Sequence, residues 1–600
     1  MPPATGTTKT EAIEKHLGRV LSVRGSEASI GLVEWSWTDA SETRATVGKF
    51  LGIQCGDRLA VGVITDVSIQ TIPVARERGY SVTAIVDLMG EIRTDGKNHR
   101  HFMRGVTVYP SIGDPAFIMA HDELKVIYDI SGKDTINIGV LQQDDTLPAY
   151  INVDELLSKH FAILGTTGVG KSSGVAVIIG EILAQRPDLR IFLVDPHNEY
   201  GRCFGDRAQV LTPANLRLPF WLFNFEETID VIFRGRPGVD EEVEILAELI
   251  PVARKIYGGA DRATRKNDVR AGFTVDTPVP YRLADLIALI DERMGKLENR
   301  SSRMISNKLL MRIEGVANDP RYAFMFENAN VGGDTMSDVL SQLFRLPTEN
   351  RPMTIMQLAG FPVEVVDSVV SVLGRMAFDF GLWSDGKLPL LFVCEEAHRY
   401  ASADRTVGFG PTRRAISRIA KEGRKYGVFL GLVTQRPAEL DATIISQCST
   451  LFAMRMSNER DQALVRSAVS DAAANLLGFV PSLGTREVFA FGEGVAVPTR
   501  LRFKELPAVN LPRSEAVSSA DTDFGKTVDQ GFIDIVVDRW RSATLSNRLR
   551  STEAEPAAQG GARAASPAAG AVAAAAPATA AAPKRLDPDR YRLLKKPASL

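Results

Sequence analysis

The chain has 600 residues, 44% of them hydrophobic and 24% charged, a composition typical of a globular protein with roughly three or four domains. Its net charge of −2 excludes nucleic-acid binding over the whole surface, although a local basic channel is compatible with it. The sequence has no signal-peptide run and no membrane-spanning apolar stretch, so we predict a soluble, cytoplasmic protein. The four cysteines lie far apart without metal-ligand spacing and are expected to be reduced, buried thiols: Cys55, Cys203, Cys394 and Cys448.

The N-terminal part of the chain is predicted to form a small β-barrel. Residues 1–14 are polar and expected to be disordered, whereas residues 15–145 carry short β-like runs separated by glycine turns. No catalytic constellation stands out in this domain. The predicted strands include Arg58–Val67, Ser81–Met89, Val106–Tyr109 and Thr135–Leu141.

Residues 146–505 show buried strands that alternate with helices, the pattern of a parallel α/β sheet. A long, mainly helical insertion is expected at about residues 223–346, where apolar residues recur at helical spacing. The five strands readable in this domain are Phe161–Leu164, Ile191–Asp195, Met353–Ala359, Pro389–Cys394 and Val428–Thr434.

A glycine-rich segment between a buried strand and an apolar helix has the GxxxxGK[ST] spacing of a P-loop. Its glycines let backbone N–H groups turn around phosphate oxygens, and the helix adds its positive N-terminal end. We expect Lys171 to reach the β- and γ-phosphates of ATP and the Ser172 hydroxyl to bind Mg²⁺. The alternative, an ordinary glycine-rich turn, is disfavoured by the strand and helix on either side. The predicted nucleotide-binding residues here are Gly165, Thr166, Thr167, Gly168, Val169, Gly170, Lys171, Ser172 and Ser173.

Two carboxylates end a later apolar strand, which we expect to lie next to the P-loop. We assign Glu395 to the metal and Glu396 to the general base that activates the attacking water. A glutamate at the metal position, where aspartate is commoner, favours coordination through water. The alternative is a solvated turn after a strand.

The next predicted strand ends at Gln435, which we expect to contact both the attacking water and the γ-phosphate; a polar cap on the strand end is the alternative. Before that strand, a basic helix ends at Gly427. A solvated charged face is its default interpretation. The sharper hypothesis is that one arginine, Arg424, reaches the γ-phosphate of a neighbouring subunit, because a guanidinium is permanently charged and planar.

The motifs of the core occur as a set: Lys159–Gly168, Val194–Tyr200, Glu395–His398, and the segments Glu422–Gly427 and Thr434–Pro437. Together they resemble the HerA branch of the HerA/FtsK superfamily of DNA-pumping ATPases. That family usually has glycine where Asn198 stands, and asparagine also tolerates left-handed backbone angles. Ser446-Gln447-Cys448, expected in the following helix, is also similar to the family. The resemblance covers about residues 15–505.

The resemblance implies an α/β P-loop ATPase core of the RecA-like, ASCE type with a helical insertion, preceded by a HAS-barrel. It also implies a ring-shaped homo-hexamer with ATP sites at the subunit interfaces and duplex DNA in the central channel. Asp195, His197 and Glu199 should then lie near the nucleotide, after a strand adjoining the P-loop strand. For Asp195, capping of the next turn is the alternative. Implied partners are a NurA-like nuclease, or a sirtuin-like or nuclease effector in phage defence.

These observations leave three functions open. The first is an ATP-driven duplex-DNA translocase or helicase that acts with a partner nuclease or effector in DNA end processing, repair or antiviral defence. The second is a regulatory or scaffolding ring ATPase that switches an effector with little motor activity. The third is a conjugation-type or secretion ATPase, which the absence of membrane-spanning segments disfavours.

The sequence indicates the DNA contacts and the structure of the C-terminal region less clearly than the ATP site. Basic residues of the insertion are candidates for phosphate contacts, but a solvated helix surface is at least as compatible with them. They are Arg262, Arg265, Lys266, Arg270, Arg293, Lys296, Arg300, Arg303, Lys308 and Arg312. Residues 506–550 form a polar extension with one predicted helix, and residues 551–600 a disordered Ala/Pro-rich linker and basic tail. The tail is either a docking peptide or a frayed end.

Overall fold

The computed structural model describes residues 16–33, 44–69, 82–96, 99–129, 134–260, 272–296, 299–469 and 474–513, together with residue 537. The chain divides into two units, Met1–Arg548 and Leu549–Leu600, and all described residues lie in the first. The predicted N-terminal disorder (1–14), most of the extension (506–550) and the linker and tail (551–600) lie outside the described residues.

The N-terminal domain is a closed β-barrel, which confirms the prediction. Its strand order is β2-β1-β7-β3-β4-β5-β6, and pairing of β2 with β5 closes the ring while β6 extends from β5. Apolar side chains of these strands fill a separate buried cluster. The strands are β1 Gly18–Arg24, β2 Glu27–Leu32, β3 Phe50–Cys55, β4 Arg58–Ile69, β5 Val82–Thr94, β6 Arg100–Arg104 and β7 Pro115–Ile118.

The barrel closes because its two longest strands bend. The β4–β5 pair changes register between Val61 and Gly62 and again between Ile64 and Asp66. Such bulges increase the local twist and let one strand contribute to both sides of a barrel. The predicted strand Val106–Tyr109 is not one: Thr107 in this loop donates its amide and hydroxyl to the buried carboxylate of Glu91.

The second domain is built on a sheet of 11 strands with the order β12-β13-β11-β14-β15-β10-β16-β17-β18-β8-β9. From β12 to β16 in this order the strands are parallel, and from β16 to β9 they are antiparallel. The strands are β8 Thr135–Leu141, β9 Pro148–Asn152, β10 His160–Leu164, β11 Arg190–Asp195, β12 Ala208–Leu211, β13 Met353–Gln357, β14 Leu390–Glu395, β15 Val428–Thr434, β16 Cys448–Met454, β17 Glu487–Gly492 and β18 Thr499–Phe503.

The neighbours of the P-loop strand differ from the prediction. We expected the strands ending at Glu395 and at Asp195 to adjoin it, but β15 lies between β10 and β14, and β11 lies beyond β14. Strand neighbours in a parallel sheet are set by crossover connections rather than by chain order. Here β15 fits against β10 because Gly431 leaves room for the ring of Phe161: a Cβ at Gly431 would lie 2.8 Å from that ring.

The barrel domain is also shorter than the predicted residues 15–145. β8 was expected to be a barrel strand, but it pairs with β18 and β9 and belongs to the core sheet. The apolar alternation of Thr135–Leu141 is the same in either sheet, so the sequence pattern could not decide between them. β16 was missed as a strand: the preceding helix ends at Ile445, and Cys448 begins β16 rather than lying in that helix.

Helices cover both faces of the core sheet and form the insertion, which is helical as predicted. α4 to α9 belong to the insertion, between β12 and β13. No helix among the described residues is long and apolar enough to cross a membrane. The helices are α1 His121–Tyr128, α2 Val153–Ser158, α3 Lys171–Gln185, α4 Phe225–Phe233, α5 Asp240–Ala260, α6 Leu283–Lys296, α7 Arg300–Ala317, α8 Ala323–Phe326, α9 Met336–Phe344, α10 Val366–Trp383, α11 Ala397–Tyr400, α12 Gly410–Glu422, α13 Ala442–Ile445 and α14 Glu459–Ala468.

Polar contacts join the barrel to the core. The guanidinium of Arg104 on β6 donates to the carbonyls of Ala496 at 2.7 Å and Gly492 at 2.6 Å. The amide of Asn475 donates to the buried carboxylate of Asp87 on β5 at 2.9 Å. All four cysteines are buried free thiols, as predicted.

A buried histidine ties the P-loop strand to its surroundings. The Nε2 of His160 lies 2.9 Å from the carbonyl of Ala420 on α12, while its Nδ1 accepts from the amide of Leu430 on β15 at 2.9 Å. This pattern requires a neutral ring with its proton on Nε2. Burial lowers the pKa of His160 to about 4, the carbonyls of Ala420 and Ile419 oppose the shift, and the charge of Arg424 adds to it.

We expect His160 to make the fold sensitive to mild acid. The unfolded chain takes up this proton below about pH 6.5, whereas the folded ring resists it until about pH 4. The contribution is therefore complete above pH 6.5 and is lost between pH 6.5 and 4, by about 3 kcal/mol. His160→Gln should flatten the change of unfolding free energy with pH in this window, measured by chemical denaturation.

His101→Gln is the matched control, because His101 is exposed on β6. This variant should keep the wild-type pH dependence. Identical slopes for wild type and His160→Gln would show that the buried ring is not the titrating group.

Candidate active site

The P-loop connects β10 to α3 and is shaped by two glycines with positive φ. Gly168 has φ of 78° and Gly170 of 93°, angles that side-chain-bearing residues rarely adopt. The amide and hydroxyl of Thr166 both donate to the carbonyl of Arg455 at 3.1 Å, and the amide of Gly165 donates to Thr434. The loop is thus anchored on the ends of both strands that flank β10, and α3 begins directly after it.

Both side chains assigned to phosphate and metal point toward acidic partners. The Nζ of Lys171, only 8% exposed, lies 3.8 Å from Oε1 of Glu396. The hydroxyl of Ser172 donates to Oε2 of Glu199 at 2.8 Å. Glu199 therefore lies at the P-loop, as expected for a residue near the nucleotide. These pairs satisfy charged and polar groups that would otherwise be buried without a partner.

Glu396 lies at the centre of the site. It follows β14 with φ of 51°, a left-handed angle that costs about 1 kcal/mol or more and that active sites often retain. Its carboxylate is 3.6 Å from Nε2 of His197 and 3.2 Å from Nδ1 of His398, and it accepts a hydrogen bond from the amide of Gln435. Oε1 of Glu396 thus faces Gln435, His197 and Lys171, whereas its Oε2 is buried without a hydrogen bond.

Gln435 links the P-loop to Glu396. Its Nε2 donates to Oε1 of Glu396, and its Oε1 accepts from the hydroxyl of Thr167. The side chain thus touches the predicted base and a residue of the phosphate-binding loop at once. The contacts of Gln435 with the attacking water and the γ-phosphate stay a prediction.

Glu395 is buried behind Glu396 and has an oxygen without a partner. Its Oε1 accepts from the hydroxyl of Tyr200 at 3.0 Å, whereas Oε2 is buried without a hydrogen bond. Burial raises the pKa of Glu395 to about 8, the charge of Asp195 raises it further, and Lys171 opposes the shift. A cation beside Oε2 would stabilise the ionised form.

These oxygen donors fit Mg²⁺, which binds proteins through one or two oxygens and keeps waters or phosphates as its other ligands. Ser172 supplies a hydroxyl and Glu395 the unpaired carboxylate oxygen. The described residues contain no group of three His, Cys, Asp or Glu side chains able to hold a metal alone.

Asp195 caps the turn that carries Glu199 and Tyr200. It is fully buried, and its carboxylate accepts from the amides of Glu199 at 3.2 Å and Tyr200 at 3.0 Å. Both oxygens are used in capping this turn, so the structure gives Asp195 the capping role that the sequence left as the alternative. Asn198 in the same turn has φ of 55°, as expected for an asparagine that replaces glycine.

Three residues of the site were not predicted. Tyr200 holds Glu395, and His398 lies 3.0 Å from the Thr434 hydroxyl beside Glu396. Burial lowers the pKa of His398, although Glu396 opposes the shift. Both residues stand within motifs already quoted, which was the available signal. Arg486 reaches the P-loop from a distant segment, and no motif marked it.

Within the basic helix, the structure separates Arg424 from the other arginines. Arg414 forms an ion pair with Glu226, and Arg418 bonds to Asp379 and covers the ring of Phe378 at 4.0 Å. Arg424 lies beyond α12, in a 3₁₀ turn at Gly423–Tyr426, and is exposed without a hydrogen bond or ion pair to any described residue.

Three of the six described basic candidates in the insertion are paired with neighbouring acids. Arg293 pairs with Glu248, Lys296 with Glu292 and Arg312 with Glu242. Such pairs favour the solvated-surface interpretation over DNA contacts. The candidates Arg262, Arg265, Lys266 and Arg270 lie outside the described residues.

A P-loop between a parallel strand and its helix, with adjacent carboxylates and a glutamine at the same edge of the sheet, defines a P-loop ATPase. A family model described as helicase HerA, central domain, matches residues 136–377. This part of the chain is therefore similar to the central domain of helicase HerA, in agreement with the resemblance seen in the sequence motifs.

Several proteins resemble this chain in sequence or in structure. The DNA double-strand break repair helicase HerA of Pyrococcus furiosus is 27% identical over 476 residues, which are 72% of this chain and 80% of the relative. The protein of the same name from Sulfolobus acidocaldarius is 24% identical and covers 66% of this chain and 73% of its own length. Among solved structures, VirB4 of Thermoanaerobacter pseudethanolicus is 15% identical, covering 64% of this chain and 98% of its own, with a TM-score of 0.41.

The contacts of Glu396 and Lys171 predict opposite effects of removing them. Glu396→Gln keeps the size and hydrogen bonding of the side chain but cannot accept a proton, so nucleotide binding should persist while ATP turnover falls by at least ~100-fold. Lys171→Ala should weaken nucleotide binding itself. Equilibrium titration with a nucleotide and a phosphate-release assay separate the two effects.

Glu422→Gln provides the control, because Glu422 is exposed at the end of α12. It should leave both measurements unchanged. Turnover by Glu396→Gln at the wild-type rate would assign the base to another residue.

Proposed function

We propose that this protein is an ATP-driven translocase or helicase for duplex DNA that works as a ring-shaped hexamer. The observation that carries the proposal is the set of contacts around Glu396, in which the predicted base, the P-loop lysine and the predicted sensor Gln435 meet. The names of the relatives, which are DNA double-strand break repair helicases, supply the substrate class.

In this proposal the residues of the site exchange partners when ATP binds. Lys171 leaves Glu396 for the β- and γ-phosphates, since phosphate carries more charge than one carboxylate. The freed carboxylate of Glu396 then accepts a proton from a water aligned with the γ-phosphate. Gln435, bonded to both Glu396 and Thr167, registers whether the γ-phosphate is present.

Ser172 and Glu395 would hold Mg²⁺ at the phosphates. When bound, the ion neutralises phosphate charge and fixes the orientation of the triphosphate. Ser172 then leaves Glu199, which becomes available to the surrounding water. Tyr200 keeps Glu395 in place through its bond to the other carboxylate oxygen.

The position of Arg424 supports action on a neighbouring subunit. Arg424 precedes β15, whereas Gln435 follows it, so the seven residues of this strand separate the two. At roughly 3.3 Å per residue the two strand ends are about 20 Å apart, which an arginine side chain does not span. Arg424 therefore cannot reach the γ-phosphate of its own P-loop, and a head-to-tail ring would bring it to the next one.

The biological setting belongs to the same proposal. A NurA-like nuclease, or a sirtuin-like or nuclease defence effector, would act with the ring in DNA end processing or phage defence, and the cytoplasmic location stays a prediction. A regulatory ring with little motor activity is the outcome that the following experiment would reveal instead.

The proposed function is tested by ATP turnover with and without linear duplex DNA, together with the mass of the assembly. We expect a mass six times that of the chain and turnover that rises several-fold with duplex DNA. Glu396→Gln provides the background rate. Turnover that ignores DNA but responds to an added effector protein would favour the regulatory ring.

Arg424 predicts how mixed rings behave. If it acts on a neighbouring subunit, Arg424→Ala and Glu396→Gln chains, each inactive alone, should regain ATP turnover in mixed rings, because an intact Glu396 then lies next to the intact Arg424 of its neighbour. ATPase assays over a series of mixing ratios measure this recovery, which should be largest near equal amounts. Lys425→Ala, an exposed neighbour in the same turn, is the control and should be active on its own. Mixed rings that stay inactive would contradict the proposed role.

A further inference from the structure

One arginine from outside the ATPase motifs contacts the P-loop of its own subunit. The amide of Arg486 donates to the carbonyl of Val169 at 2.8 Å. Its side chain then runs beside Gly170, since a Cβ added to that glycine would lie 3.0 Å from Cγ of Arg486. The segment before β17 thus contacts the turn at which α3 begins.

The backbone of Arg486 is in a conformation that suits glycine better than arginine. Its φ is 64°, in the left-handed region, where a residue with a side chain is strained. A glycine here would make the same bond from its amide to Val169 without strain. The contact with the P-loop backbone therefore does not explain an arginine at this position.

The guanidinium has only a weakly held partner. Its Nη1 is 3.6 Å from a carboxylate oxygen of Glu505, whose side chain is 84% exposed. The other nearby carboxylate, Glu487, bonds instead to Arg500 and to the amide of Gly484. Exchanging an exposed carboxylate for a phosphate costs little, because ion pairs at the surface contribute little to stability.

The position of Arg486 determines which phosphates of a bound nucleotide its side chain would contact. It stands over Gly170, at the start of α3, where P-loop amides surround the β-phosphate. Glu396, Gln435 and Lys171 lie on the side assigned to the γ-phosphate. We propose that Arg486 binds the α- and β-phosphates of the nucleotide held by its own subunit. This inference rests on the proposed nucleotide binding by the P-loop.

Such a contact would be made equally with ADP and ATP, unlike the contacts proposed for Glu396 and Arg424. It would therefore contribute to retention of the product as well as of the substrate. Removing it should weaken ADP and a non-hydrolysable ATP analogue by the same factor. A charge-assisted hydrogen bond of this kind corresponds to about a tenfold change in Kd.

Arg486→Gly gives the sharpest test, because it removes the guanidinium and relieves the left-handed backbone while keeping the amide bond to Val169. Calorimetric titration of the full-length Arg486→Gly chain should give a Kd for ADP about tenfold higher than that of the wild type. Inosine diphosphate carries the same phosphates on a different base, and its binding should be weakened by a similar factor. Arg486→Asn, which also tolerates positive φ, should behave in the same way, and Arg486→Lys should recover part of the affinity. Arg502→Gln, an exposed arginine on β18, is the control and should bind ADP as the wild type does.

Unchanged ADP affinity in both Arg486→Gly and Arg486→Asn would overturn the inference. A loss confined to ADP, with inosine diphosphate unaffected, would also overturn it, because the arginine would then contact the base. A wild-type chain that binds no ADP would refute the proposed nucleotide binding itself. Wild-type binding with an unaffected Arg486→Gly refutes only the role of Arg486.

Discussion

The parallel strands of the central sheet all end at one edge, and this constraint brings the site together. Glu395 and Glu396 complete or follow β14, Gln435 follows β15, and the P-loop follows β10. Because neighbouring strands are parallel and hydrogen-bonded to each other, the residues that follow them lie side by side. Segments that are distant in sequence therefore meet at this edge.

Most polar side chains of the site are paired with one another, apart from one buried oxygen each of Glu395 and Glu396. Lys171 lies beside Glu396, Ser172 bonds to Glu199, and Gln435 bridges Glu396 and Thr167. A buried lysine and a buried glutamate would each be costly alone. A triphosphate with its metal ion therefore has to replace existing pairs, which makes the conformation of Glu396 and Gln435 dependent on what the P-loop holds.

The sequence was most informative where a local pattern of residues determines the structure. The spacing of glycines in the P-loop, the apolar strand before Glu395 and the strand before Gln435 located the active-site edge, and the structure brings these residues into contact. The barrel and the parallel core also followed from strand spacing and strand–helix alternation. The chemical roles of Glu396, Gln435 and Arg424 stay predictions.

The errors arose where long-range pairing decides the outcome. The strand Thr135–Leu141 has the same alternation in a barrel or in a core sheet, and only its pairing with β18 places it. The strand order around β10 depends on crossovers that leave no local pattern. Arg486 contacts Gly170 from a segment far along the chain, and its positive φ cannot be read from an arginine in a sequence.

One strand of the core sheet lies between the barrel and the phosphate loop. The carbonyl of Gly492, the last residue of β17, accepts from the guanidinium of Arg104 on β6. Arg486, just before β17, donates its amide to the carbonyl of Val169 in the phosphate loop. The two ends of β17 therefore contact two different functional parts of the chain, so a substitution that shifts this strand would disturb both at once.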